Sequence, residues 1–381
     1  MQALTTIWKS PSEYLRANKP ESPVLFFSPS ALYAQARRFI DGFSGVVTYA
    51  VKSNPQEMVI ENLWVAGITG FDVASPVEIR TVHRIAPTAK MHYNNPVRTV
   101  REIAVAVECG VVSYSVDSKS ELEKLIALVP SQGVEITVRF KLPVVGAAYN
   151  FGEKFGATVA LSADLLARVK EAGFVPSLTF HPGTQCTDPA AWQSYIEAAA
   201  DISKIAGVKV ARLNVGGGFP SHRQRDILPQ LEATFALIDR VTSQAFGADS
   251  PELVCEPGRG LVGDAFTLAA GVKAVRDGKH VFLNDGLYGA LMECHWVALV
   301  DRVAVFDAQG KRRFGPKAPR VVFGPTCDSV DQIPGEVLLA ADISEGDYVF
   351  FESMGAYSWA TNTEFNGFGG LVLAHVLMLD I

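Results

Sequence analysis

Cysteine is scarce in this chain, and its spacing excludes the usual structural uses. Cys109, Cys186, Cys255, Cys294 and Cys327 are odd in number and widely scattered, with no Cys-X-X-Cys pair. Neither a disulfide framework nor a cysteine metal site is expected, and such usage suits a reducing cytoplasm. The seven histidines show no His-Glu-X-X-His and no paired spacing, so no structural metal is expected either. No run of about 18 apolar residues is present to cross a membrane. Residues 1–23 mix polar and apolar side chains without the basic-then-apolar layout of a signal peptide. Lysine and arginine form no long rich run and no interleaving with aromatics, and 40 acidic against 34 basic residues leave a net charge of −6. Nucleic acid is therefore not an expected partner.

What is present is an ordinary globular composition, 48% hydrophobic and 19% charged over 381 residues. That length favours one large and one smaller domain. An apolar segment at 24–28 and a helix at 29–43 come first. Short apolar segments then recur at 46–51, 71–74, 90–93, 113–116, 135–142, 177–180, 212–215 and 253–255. Helical patterns fall between them at 56–66, from 76, and at 97–107, 120–128, 162–172, 190–205 and 229–244. Eight strands alternating with helices predict a parallel (β/α)8 barrel, with an open doubly wound sheet as the alternative.

The strand ends favour the barrel. Lys52, Asp72 with Ser75, Asn94, Asp117, Arg139, His181, the Gly216-Gly217-Gly218 run and Glu256 each follow or close a strand. A barrel gathers eight such ends on one face, where active sites of this fold lie, whereas an open sheet strings them along a line. Beyond Gly263 the character changes. Runs at 267–275, 280–283, 296–306, 320–323, 348–352 and 371–378 are separated by Gly, Pro and Asp turns, which predicts a mostly-β domain. The expected organisation is an N-terminal segment, 1–29, joining the β domain, a barrel over 30–263 and the β domain over 264–381.

Lys52 ends Tyr49-Ala50-Val51-Lys52, a stretch read as a buried strand running into the breaker Asn54-Pro55. A buried ammonium has a lowered pKa and readily forms a Schiff base with a carbonyl cofactor. A lysine snorkelling at a strand end is the plain alternative. Gly216-Gly217-Gly218 on strand seven and Glu256-Pro257-Gly258-Arg259-Gly260 on strand eight read as anion cradles, because backbone N–H groups without Cβ atoms approach an anion closely. Barrels hold phosphates at those two strands. Read plainly, the first is a flexible turn and Glu256 is a salt-bridge partner for Arg139 or Arg259. Cys327 and Asp328, in Gly324-Pro325-Thr326-Cys327-Asp328-Ser329, pair a thiol with a carboxylate in one loop. Cys327 also suits a buried apolar position.

Taken in order, these motifs resemble the fold-type III pyridoxal-phosphate-dependent decarboxylases, the ornithine/lysine/diaminopimelate decarboxylase family. The resemblance runs from Tyr49-Ala50-Val51-Lys52 through His181-Pro182-Gly183-Thr184, the glycine run and Glu256-Pro257-Gly258-Arg259 to the Cys327-Asp328 loop. It ends at Gly355-Ala356-Tyr357 and Phe365-Asn366-Gly367-Phe368. The Gly-Pro-Thr-Cys-Asp-Ser form is closest to the ornithine/lysine branch. It implies an alanine-racemase-like TIM barrel with a C-terminal β domain, and pyridoxal 5'-phosphate as cofactor. Lys52 would carry the cofactor, His181 stack on its ring, and Glu256 pair with the protonated ring nitrogen. Asp72 and Arg139 would surround the ring, and Thr184, Gly218, Gly258, Arg259 and Tyr357 would hold the phosphate. Asp328 would bind the distal ammonium of a diamino acid, Cys327 would protonate Cα, and a homodimer would share two sites.

Val297 stands where the eukaryotic ornithine decarboxylases carry a substrate-binding aspartate. Tyr288 and Glu293 are therefore the expected substrate contacts in that loop, Glu293 as the substitute carboxylate. The expected reaction is decarboxylation of L-ornithine to putrescine or of L-lysine to cadaverine, within polyamine biosynthesis. The alternatives are a larger diamino-acid-derived substrate of a siderophore or antibiotic pathway, a racemase, which the Cys327-Asp328 loop disfavours, and a non-catalytic regulatory homologue.

Overall fold

The computed structural model describes residues 6–142, 154–297 and 301–379. They fall into two compact units: Ala36–Pro220 with Gln230–Gly258, and Met1–Gln35 with Ser221–Pro229 and Arg259–Ile381. Residues 30–35, 221–229 and 259–263, expected in the barrel, thus group with the β unit. Ser353 and Ser221 share a hydroxyl hydrogen bond of 2.8 Å, and Gly355 N–H donates to Gly263 O at 3.0 Å.

The first unit is a closed barrel of eight parallel strands in chain order. They are Val46–Ala50, Gly70–Val73, Lys90–Tyr93, Ser113–Val116, Glu135–Arg139, Val175–Thr179, Arg212–Asn214 and Glu252–Cys255. Val254 and Cys255 pair with Val46 and Val47, which closes the cylinder. Side chains alternate along each strand. One set is aromatic or aliphatic and buried, including Tyr49, Phe71, Tyr93, Tyr114, Ile136 and Leu178. The other is polar and equally buried, including Thr48, His92, Ser113, Ser115, Thr137 and Ser177. Members of the polar set bond across strands, as between Ser113 and Thr137 hydroxyls (3.4 Å) and from Arg212 N–H to Ser177 Oγ (3.2 Å).

Helix starts follow their caps. The helix expected over 97–107 runs Val100–Glu108, because Thr99 and Glu102 form a reciprocal capping box. The fifth strand stops at Arg139 rather than 142, where Phe140 bridges to Ala157.

The second unit is a nine-stranded sheet among the described residues. Val24–Phe27 lies between Val372–Val376, parallel, and Phe266–Arg276, antiparallel. The N-terminal strand therefore completes the C-terminal sheet. Its core packs Leu15, Val24, Phe26, Phe306, Phe350 and Val376, with Phe26 stacked on Phe350 at 5.9 Å. Of the run expected at 296–306 only Val303–Phe306 is strand, and residues 298–300 lie outside the described residues. The short strand Ile7–Trp8, the helix Pro11–Asn18 and the strand Val337–Ala340 were not anticipated.

Candidate active site

Lys52 sits on a single 3-10 turn, Val51–Ser53, just beyond the first barrel strand. Ser53 Oγ donates to Ala50 O at 2.8 Å, and Tyr49 OH donates to Asn54 O at 2.9 Å, which fixes the turn from below. From the side, Ala50 N–H donates to Pro257 O, and a Cβ on Gly258 would lie 2.9 Å from Ser53 Cβ. Glycine at 258 thus lets the loop after strand eight close on the turn that carries Lys52. The lysine is not the buried ammonium expected from the strand pattern. Its side chain is 47% exposed, with Nζ 3.8 Å from Oδ2 of Asp72, itself 3% exposed. The turn lifts Lys52 past Ala50, the last residue laddered to Asp72 on strand two. An amine reachable from solvent on a fixed turn is what an incoming carbonyl requires.

Glu256 follows strand eight directly and is buried. The side-chain amides of Asn94 and Asn214 both donate to its Oε1, and Oε2 is the acceptor that remains. Each amide is itself anchored: Ser115 Oγ donates to Asn94 Oδ1 at 3.1 Å, and Gly216 N–H donates to Asn214 Oδ1 at 2.9 Å. Burial, reinforced by the neighbouring Asp72, pushes the Glu256 carboxyl up to about 8, against the pull of Lys52, Asn214 and Arg139. Asp72 is raised as well, by burial, with Lys52, Arg139 and Asn94 opposing. Two buried carboxylates here want more positive charge than Lys52 and Arg139 supply. The salt bridge to Arg139 or Arg259 expected on a plain reading of Glu256 gives way to the two asparagines.

The raised carboxyl has a consequence for stability. Glu256 holds its proton more tightly folded than unfolded, so its burial costs nothing below the ordinary carboxylate range. That cost grows as pH rises toward about 8. Cofactor-free protein is expected to lose denaturation midpoint between pH 5 and pH 8, and Glu256→Gln to flatten that decline. Equal slopes in the two proteins would refute the assignment.

His181 is held neutral. Gly183 N–H donates to its Nδ1 at 3.0 Å, which leaves the ring proton on Nε2. Burial, with Lys52 and Arg139 adding, holds its pKa well below the usual range. A neutral ring suits stacking on a flat heteroaromatic partner. The glycine run is tightly packed rather than loose. A Cβ on Gly217 would stand 2.8 Å from Glu256 O and 3.1 Å from His181 Nε2, and Gly216 and Gly218 have φ of +71° and +86°. Gly218 O accepts from Cys186 N–H at 2.8 Å, tying the run to the Thr184 loop.

In the β unit, Arg259 is buried and bidentate on Glu293, with Nη1 donating to Oε2 at 2.6 Å and Nη2 donating to Oε1. Glu293 is therefore committed to a guanidinium and does not stand as the substitute ammonium ligand expected of it. The Arg259 guanidinium lies 5.3 Å from the Tyr357 ring centroid, and Tyr357 has a φ of +64°. A left-handed tyrosine costs roughly 1 kcal/mol or more, so its surroundings dictate its position. Tyr288 OH donates to Asp328 Oδ2 at 2.5 Å, which holds the Asp328 carboxyl below its usual value. Cys327 is exposed rather than buried, its N–H donating to Asn366 Oδ1 at 3.1 Å. Asp331 organises the loop, accepting from Leu287 N–H (2.7 Å) and Thr326 Oγ1 (2.7 Å).

Four residues of these clusters carry no site reading in the sequence: Asn94, noted only as a strand end, Asn214, Asp331 and Arg223, whose Nη1 lies 3.5 Å from Oε2 of Glu293. A polar residue at the end of a barrel strand was the available signal for both asparagines. Asp331 and Arg223 carried none.

Pyridoxal phosphate fits this donor set: an accessible amine, a buried carboxylate in need of a cation, a neutral ring beside them, and glycine loops that exclude Cβ atoms. Comparison with known proteins agrees. Residues 30–263 match the family described as pyridoxal-dependent decarboxylase, pyridoxal binding domain. The chain is 32% identical over 351 residues to ornithine decarboxylase of Mus pahari, covering 84% of this chain and 73% of that one. The structure is similar to Paramecium bursaria Chlorella virus arginine decarboxylase, with a TM-score of 0.85, 27% identity, and 95% and 98% of the two chains covered. It is also similar to Vibrio vulnificus lysine/ornithine decarboxylase complexed with cadaverine, with a TM-score of 0.79, 27% identity, and 94% and 95% covered. The chain belongs to the pyridoxal-dependent decarboxylase family.

Proposed function

We propose that this chain decarboxylates a basic amino acid, L-ornithine first and L-lysine second, as a cytoplasmic homodimer serving polyamine biosynthesis. The observation that carries the reading is the buried Glu256 carboxyl, clamped by Asn94 and Asn214 in the barrel mouth that also presents the Lys52 amine. Among the described residues no helix is long and apolar enough to cross a membrane.

Bound pyridoxal phosphate supplies an electron sink for the charge left on the substrate Cα when CO₂ departs. Lys52 Nζ is the amine that holds the cofactor's aldehyde carbon. Glu256 Oε2 keeps a proton on the ring nitrogen, and Asp72 and Arg139 set the field around it. His181 would lie against the ring as a neutral imidazole. Thr184 and the backbone at Gly218 and Gly258 would bind the phosphate, with Arg259 and Tyr357 the further phosphate residues that family membership implies. Tyr288 keeps Asp328 ionised and aimed, and Asp328 accepts the distal ammonium through a charge-assisted hydrogen bond. Cys327, exposed at the tip of its loop, returns a proton to Cα, in the site of the second subunit.

A larger diamino-acid-derived substrate is the second reading. With Val297 apolar and Glu293 held by Arg259, one carboxylate fewer awaits a distal ammonium than in the ornithine decarboxylase pattern. The intact Lys52, Glu256 and glycine loops argue against a non-catalytic regulator. A CO₂-release screen over ornithine, lysine, diaminopimelate and arginine tests the substrate. Asp328→Ala is expected to lower kcat/KM for the preferred diamino acid about 10²-fold or more, because the distal ammonium would lose its counter-charge. Full activity in that variant would refute the role.

A further inference from the structure

The β unit buries two guanidiniums against one carboxylate. Arg259 holds Glu293 through both terminal nitrogens, and Nη1 of Arg223 lies 3.5 Å from the same Oε2. Arg223 is only 2% exposed, and its Nε and Nη2 are buried without a hydrogen-bond partner, as is Nε of Arg259. Two guanidiniums thus share the Glu293 carboxylate, with Asp264 the further carboxylate acting on Arg223, and three of their donor nitrogens have no acceptor among the described residues. Buried donors normally find acceptors. A guanidinium committed edge-on to a carboxylate also cannot offer that edge to a phosphate.

We propose that Glu293 is an exchangeable placeholder. It pairs with Arg259, and passes to Arg223 when Arg259 turns to a phosphate group. Arg223 is thus a positioning residue for cofactor loading, absent from the motifs shared with the family. The inference rests on the assignment of Arg259 to the phosphate in the proposed function. Its physical basis is charge balance: with the phosphate on Arg259, a carboxylate stranded without a cation would be costly, and the free edge of Arg223 removes that cost. Glu293 then competes with the phosphate, and Arg223 relieves the competition.

The test titrates full-length cofactor-free protein with pyridoxal phosphate, with pyridoxal, and with inorganic phosphate as competitor, read by visible absorption. Glu293→Gln keeps the shape and removes the competing charge. It is expected to tighten pyridoxal phosphate about tenfold and to make inorganic phosphate compete at about tenfold lower concentration, with pyridoxal unchanged. Arg223→Met is expected to weaken pyridoxal phosphate about tenfold alone and to have no effect in the Glu293→Gln background. Weaker binding in Glu293→Gln, equal shifts for pyridoxal and pyridoxal phosphate, or an Arg223→Met effect that persists undiminished in the double variant would each overturn the exchange. Should Arg223→Met not fold, Glu293→Gln decides by itself. Arg259→Met separates the two claims. A preference for pyridoxal phosphate over pyridoxal that survives it overturns the phosphate assignment. A preference lost there but indifferent to Glu293→Gln overturns the exchange alone.

Discussion

Lys52→Ala is expected to abolish decarboxylation, a loss of roughly 10⁴-fold or more in kcat, and to remove the visible absorption of lysine-bound pyridoxal. Among the described residues, Lys52 is the lysine that acts on Asp72, Glu256 and His181 alike. The variant should still fold. The turn is held by hydrogen bonds of Ser53, Tyr49 and the backbone at Pro257, which the substitution leaves in place. A half-exposed side chain contributes little to stability, within about 0.5 kcal/mol. Losing the ammonium also removes a charge that lowers Asp72 and Glu256, so both carboxyls should rise further. Spectra of reconstituted wild type and variant, with CO₂ release measured in parallel, check the prediction. A visible band retained in the variant would place the covalent attachment elsewhere.

Glu256→Gln is expected to lower kcat by about 10²- to 10³-fold, with a much smaller change in KM, the scale of losing one preorganised electrostatic contact to a developing charge. The geometry makes this substitution informative. Asn94 and Asn214 both present N–H groups to Oε1, so the glutamine carbonyl must take that place. Its NH₂ then stands where Oε2 was and faces the ring nitrogen as a donor. A nitrogen facing a donor is held unprotonated, and an unprotonated pyridine is a poor electron sink. The fold should tolerate the change, because shape and both asparagine hydrogen bonds are kept. A kcat within tenfold of wild type would show that the carboxylate does not set the ring's protonation.

Much of the site was legible because a parallel barrel converts strand order into proximity. Asp72, Asn94, Asp117, Arg139, His181 and Glu256 each lie within two residues of a strand's C-terminal end. The ladders bring those ends to one mouth. Glycines at 216, 218 and 258 were legible too, and close packing replaces the plain reading of 216–218 as a flexible turn. Lys52 was singled out as a buried ammonium, and its side chain is instead half exposed. A strand pattern cannot show that the chain leaves the ladder at Ala50 and enters a 3-10 turn, and that single turn separates a buried ammonium from an accessible one.

The amino-acid sequence by itself determined the alternation of strands and helices, the polar residue at each strand end and the family, since these rest on local periodicity and on motifs that short stretches carry. Tertiary structure alone decided the partners. Glu256 meets two asparagines from strands three and seven, residues 162 and 42 positions away, rather than an arginine. Glu293 meets Arg259 and Arg223 rather than awaiting an ammonium. Which cation a carboxylate faces depends on where separate segments arrive once the chain closes on itself. That arrival is set by packing and by burial's cost for an unpaired charge, neither of which is written in the spacing of a motif.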